Sequence, residues 1–185
     1  GNAIFYGAQL EQGSYPTSYI PTQGSAVTRL ADSCTNGGND QVINSTEGVL
    51  YAEISALIEI DNARRFITLN DGSASNGVIL RYETSGIITA RYQIGGIAQC
   101  SMSFTTTITN THKVAFKYKQ NDFALWVDGV EVNTDNVGSV LASDTINSID
   151  FDHGGSSFPL YGNVKDVRIY NTALTDQELA ALTQV

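Results

Sequence analysis

At 185 residues the chain has room for one large domain, or one domain with a short appendage, and for a core that needs neither metal nor disulfide to hold it. Ten Lys and Arg against 19 Asp and Glu leave a formal net charge of −9, which argues against a nucleic-acid partner and against adhesion to an anionic membrane. No apolar run approaches the roughly 20 residues of a membrane-spanning helix.

The N-terminal stretch, residues 1–33, differs from the rest. A short apolar run ends at Gly7, a second turn falls at Gly13, and Pro16 and Pro21 then forbid a regular helix and a central strand. One strand followed by an extended connector is expected. A chain that starts at Gly1 is expected to be a processed product or a cut from a longer protein, so a missing targeting signal says nothing. Extended segments such as 14–30 often add to a neighbouring sheet.

From Val42 onward the pattern is strand, turn, strand. "GVLYAEISALIE" is the first long strand, and "RRFITLNDG" is a second that ends in the turn Asp71-Gly72. "GVILRYETSGIITARYQIGG" is a hairpin through Ser85-Gly86, and "HKVAFKYKQNDFALWVDGVEV" is another through Gln120-Asn121-Asp122, with a further turn at Asp128-Gly129. "TINSIDFDHGG" and "LYGNVKDVRIYN" are the last strands. Thr175 and Glu178 then stand in capping-box positions before "DQELAALTQ", with Leu179 and Leu182 on one face of a short helix. The 9 Tyr and 7 Phe favour strands. The whole reads as all-β, a two-sheet antiparallel sandwich closed by a C-terminal helix.

Two segments carry a family resemblance. His112 before an apolar strand, then Trp126-Val127-Asp128-Gly129, then Gly162, Asp166, Val167 to Asn171, Leu174 and Asp176-Gln177-Glu178, resemble the laminin-G-like branch of the concanavalin A-like lectin/glucanase superfamily. The likeness covers roughly 42–185. It implies a jelly-roll domain at 34–185 and a carbohydrate-binding role. Gln9-Leu10-Glu11 and Thr17-Ser18-Tyr19-Ile20-Pro21-Thr22 resemble a connector of bacteriophage tail-fibre and related structural proteins. That likeness implies that 1–33 holds the terminal strand of an upstream domain and the link from it, in a virion or extracellular protein with other virion subunits, or copies of itself, as partners.

Catalysis has little to stand on. A retaining glycosidase needs two carboxyl groups about 5 Å apart, and the glucanase branch sets them on one strand. Glu59-Ile60-Asp61 begins such a motif, but Arg64 stands where its second Glu belongs. The alginate-lyase branch carries Gln-Ile-His, whereas Gln93-Ile94 is followed here by Gly95. Only His112 and His153 are available for imidazole acid–base chemistry. His112 matches a position that the family resemblance marks as structural. No catalytic residue is assigned.

For calcium, which takes six to eight oxygens, Asp150 and Asp152 with neighbouring carbonyls are one option. Asp166 is the other, from the resemblance. Both can equally be solvated acids of an acidic protein. The two cysteines, Cys34 and Cys100, lack metal-ligand spacing, and they pair only if the fold brings them together.

Strand alternation offers a binding face. Arg81 and Glu83 share a side, as do Thr89, Arg91 and Gln93; Lys117 opposes Val114, Phe116 and Tyr118; and Trp126 opposes Leu125 and Val127. If the apolar sets face the core, Arg81, Arg91, Lys117 and Trp126 collect on one exposed sheet. Trp126 is then a stacking platform for a sugar ring, and the cations donate to its hydroxyls or carboxylates. The competing expectation is a Trp126 buried under a loop or a neighbouring subunit. Three functions stay open: a polysaccharide- or cell-surface-glycan-binding domain, an assembly domain of a phage appendage, and, with a broken motif against it, a polysaccharide-degrading enzyme.

Overall fold

The computed structural model describes residues 37–57, 64–83, 86–154 and 158–185, together with Gly7, Leu10, 19–21, Gly24, Ser25 and Val27. The chain divides into two units, Gly1–Ser33 and Cys34–Val185. In the first unit, Gly7 adopts φ +72° against the Tyr19 ring, which an added Cβ would meet at 3.3 Å. The strand expected there, and Gln9, Glu11, Thr17, Ser18 and Thr22 of the connector, lie outside the described residues.

The second unit is built from β1 (Glu47–Ala56), β2 (Arg65–Asn70), β3 (Gly77–Glu83), β4 (Ile87–Ile94), β5 (Ile97–Thr105), β6 (His112–Lys119), β7 (Phe123–Val127), β8 (Val130–Asp135), β9 (Ser148–Asp150), β10 (Gly162–Tyr170) and α1 (Asp176–Thr183). Two five-stranded sheets result, β10-β1-β6-β7-β8 and β5-β4-β3-β2-β9. All their pairings are antiparallel. The chain starts in the first sheet, lays down four consecutive strands in the second, and returns for β6–β8. It then crosses twice more, for β9 and β10, as in a jelly-roll sandwich.

Alternation sorts the side chains. Leu50, Ala52 and Ile54 of β1, Val114, Phe116 and Tyr118 of β6, and Phe123, Leu125 and Val127 of β7 meet Ile67, Leu69, Val78, Leu80, Tyr82, Ile88 and Ala90 of the second sheet in one apolar core. Burial of this kind stabilises by about 25 cal/mol per Å² of apolar surface. Turn chemistry sets the register. Asp128 and Gly129 both take positive φ, +50° and +84°, between the paired Val127 and Val130. This is the two-residue turn whose twist matches that of its strands. Gly95 and Gly96, at +58° and +80°, make the corresponding turn between Ile94 and Ile97. That Gly pair opens β5, a strand absent from the sequence expectation.

The helix forms as its capping box predicts: Thr175 Oγ1 accepts from Glu178 N at 3.4 Å, and Glu178 Oε2 accepts from Thr175 N at 2.8 Å. It lies on the outer side of the first sheet. There Leu179 packs with Val49, Tyr51, Ala115, Ala124 and Trp126. The two alanines leave the room that lets the helix come down onto the strands.

Candidate functional site

The four residues expected on one face lie on two sheets. Arg81 (β3) and Arg91 (β4) point outward from the second sheet, whereas Lys117 (β6) and Trp126 (β7) point outward from the first. Parity places each of them correctly away from the core but cannot tell which sheet a strand joins. Trp126 is only 7% exposed because α1 covers it, and its indole Nε1 has no hydrogen-bond partner. Lys117 is equally buried, with Nζ 2.7 Å from Asp122 Oδ1 and 3.8 Å from Asp176 Oδ1. These two therefore bind sheet to helix and offer no open platform.

The outer face of the second sheet is different. Cross-strand register aligns Ser103, Thr89, Arg81 and Phe66 in one row, and Ser101, Arg91, Ile79, Thr68 and Asp150 in the next. Arg81 donates through Nε to Glu83 Oε1 at 2.8 Å and again through Nη2, and Thr89 Oγ1 donates to the same oxygen at 3.0 Å. Arg64 Nε stands 3.9 Å from the other Glu83 oxygen. Burial alone would raise the Glu83 pKa, but the hydrogen bonds and charge of Arg81 outweigh it and hold the carboxyl below its ordinary value.

Arg91 has no such partner. Its Nη2 donates to Gly96 O at 3.2 Å, its buried Nε is unsatisfied, and among the described residues no carboxylate pairs with it. Burial, then the like charges of Arg81 and Arg64, hold its pKa below the ordinary value. A protein of net charge −9 thus gathers three arginines on one face and leaves one of them uncompensated. Ser101 and Ser103, both exposed, flank it from β5.

A loop closes the far side of this face. Thr68 Oγ1 donates to Asp152 O at 2.9 Å, and Asn70 Nδ2 donates to Asp150 Oδ2 at 2.7 Å. Beyond them His153 stacks on Phe66, ring centroids 4.4 Å apart, and Phe158 leans on Phe66 at 5.8 Å. The Arg81 guanidinium lies over the same Phe66 ring at 5.5 Å. Burial, then Arg81, Arg91 and Arg64, lower the His153 pKa, with Asp152 acting against them.

The acids considered for calcium do not converge. Asp150 accepts from Asn70, Asp152 Oδ1 accepts from Gly154 N at 2.6 Å, and Asp166 sits across the molecule on β10, paired with Arg168 at 2.6 Å. Among the described residues no three acidic, His or Cys side chains gather to hold an ion. His112 Nδ1 lies 2.6 Å from Asp128 Oδ2, and Asp128 Oδ1 accepts from Lys113 N at 2.9 Å, so this pair ties down the β7–β8 turn. Glu59, Asp61 and Cys34 lie outside the described residues, and Cys100 is a buried free thiol. Gln93 is on the arginine face and donates to Ala74 O. Sequence reasoning missed Ser101, Ser103, Phe66 and Phe158. The alternation Cys100-Ser101-Met102-Ser103 carries a readable period-two signal, whereas nothing local announces the two rings.

No curated protein matches the chain. A family model, Laminin_G_3 of the concanavalin A-like lectin/glucanases superfamily, matches residues 54–180. Among solved structures, the Ruminococcus gnavus IT-sialidase CBM40 bound to alpha2,3 sialyllactose is similar with a TM-score of 0.61 and 18% identity, over 79% of this chain and 91% of that one. Domain 4 of the arabinanase AbnA from Geobacillus stearothermophilus, in complex with arabinotriose, gives 0.57 and 14% over 79% and 70%. The NanB sialidase of Streptococcus pneumoniae gives 0.58 and 18%, over 75% of this chain but 24% of its own. At these identities the likeness is one of fold.

Proposed function

This chain belongs to the Laminin_G_3 family of the concanavalin A-like lectin/glucanase superfamily, and on that premise we propose that it is a non-catalytic domain that binds acidic glycans on the outer face of its second sheet. The observation that carries the proposal is Arg91. An arginine held among like charges, without a carboxylate partner among the described residues, is stabilised by an anion that its exposed terminal guanidinium nitrogens can grip. The hydroxyls of Ser101 and Ser103 beside it suit a sugar. Two of the similar folds are glycan complexes, one of them with the acidic sialyllactose.

Glu83 is a poor general acid, because that role needs a raised pKa and Arg81 lowers it. The likeness of residues 9–22 to a phage connector sets the domain, in this reading, on a virion or another extracellular appendage, with subunits of that appendage as further partners.

The test is titration of the domain with acidic and neutral oligosaccharides of equal length, with and without calcium, in parallel with Arg91→Met. Binding confined to acidic glycans, weakened by salt and lost in the variant, is expected. Equal binding of neutral glycans, or none of any kind, overturns the proposal. A response that requires calcium also overturns the proposal, since Arg91 grips an anion without a metal.

A further inference from the structure

The three stacked rings beyond Arg81 have no part in gripping an anion, yet one of them is held outward at a conformational cost. Phe158 is 49% exposed and takes φ +57°. A bulky residue is a genuine outlier there, of a kind that costs about 1–3 kcal/mol and collects at ligand sites. Packing uses only part of the ring: Phe158 and His153 together cover Phe66, which is 1% exposed, and half of Phe158 is still left to solvent. The Phe158 ring lies 5.8 Å from Phe66 and 6.2 Å from His153, so the shelf is continuous with the ring that Arg81 overlies. Phe66 on β2 lies two strand spacings across and two residues along from Arg91 on β4, about 12 Å. That span is longer than one sugar ring and within reach of a short oligosaccharide.

Building on the acidic-glycan reading, we infer that Phe158, backed by Phe66 and His153, is a second subsite that stacks the apolar C–H face of a neutral sugar further along the glycan whose acidic residue Arg91 holds. An aromatic face packs well against the C–H-bearing side of a pyranose. The site then measures chain length as well as charge. A lone acidic monosaccharide fills the Arg91 end, and a longer glycan also covers the shelf.

Calorimetry with two probes, free sialic acid and 3′-sialyllactose, separates this inference from the reading beneath it. The intact domain should bind sialyllactose roughly five- to tenfold more tightly than the monosaccharide. Phe158→Ala should erase that difference and leave monosaccharide affinity unchanged, and Phe158→Tyr should retain it. Phe158→Gly, which the positive φ favours, should behave as the Ala variant does, so that strain and ring loss are told apart. Equal affinity of the intact domain for both probes refutes the second subsite, as does a Phe158→Ala variant that keeps the difference or loses both ligands equally. In each of these cases Arg91→Met still tests the primary site. Failure of both probes on the intact domain refutes the second subsite as stated, and the acidic-glycan reading is then decided by its own titration.

Discussion

Trp126→Ala distinguishes a structural tryptophan from a sugar platform. The indole is 7% exposed between α1 and the first sheet, with Ala115 and Ala124 beside it, too small to fill the space it would leave. Deleting a buried Trp in such a place costs about 3–5 kcal/mol. The low end applies here, because Nε1 has no partner and its removal takes away a buried unsatisfied donor of about 1 kcal/mol. A loss near 3 kcal/mol in a domain of this size lowers the melting temperature by about 6–12 °C. Trp126→Phe, which keeps a six-membered ring and loses the unpaired donor with the rest of the indole, should cost less, about 1–2 kcal/mol. Both are measured by far-UV circular dichroism on heating and in urea. Glycan affinity is then measured well below either transition. The reasoning is refuted if Trp126→Ala abolishes binding while its unfolding stays at the parent midpoint.

Arg91→Met should leave the urea midpoint unchanged or raised, since it removes an unsatisfied donor from among like charges. A clear destabilisation would give Arg91 a structural role. Thr175→Ala removes the capping box of α1 and should cost about 1 kcal/mol, with faster amide exchange confined to 176–183. His153 has a folded-state pKa below its ordinary 6.5. The unfolded chain therefore binds the extra proton first, so this stability is complete above about pH 6.5 and is lost as pH falls below it. Denaturation between pH 7 and 5.5 should show that slope, and His153→Gln should flatten it. Burial pushes the Cys100 thiol up to about 12, so in a Cys34→Ser background a thiol reagent should label the protein only after denaturation.

Much of the fold was legible because its signals are local. Asp128-Gly129, the alternation of β3, β4, β6 and β7, and the Thr175/Glu178 box each act within a few residues of themselves. β5 escaped for a related reason. Gly95-Gly96 reads as a strand's end unless the two-residue hairpin is recognised, and the following "IAQCSMSFT" is only weakly apolar, because one face of this edge strand is exposed polar surface.

The proposed binding face was harder to read, and the difficulty is physical. Alternation says which side of its own strand Arg81 or Trp126 takes, but pairing across the chain decides the sheet. Here β6 and β7 join β1, while β3 and β4 join β2. The helix, 50 residues after Trp126, then converts an outward indole into a buried one. Three local rules are broken on or beside the other sheet: a buried guanidinium donor without a partner at Arg91, clustered like charges on an acidic protein, and a phenylalanine at positive φ in the β9–β10 connection. Each is unfavourable for the free domain, and an acidic, partly apolar chain laid across the face would relieve the charge and use the ring. Departures from local consistency that converge on one surface are what a functional or strained site produces, and the proposed glycan site accounts for all three. They become visible only when the sheets are assembled.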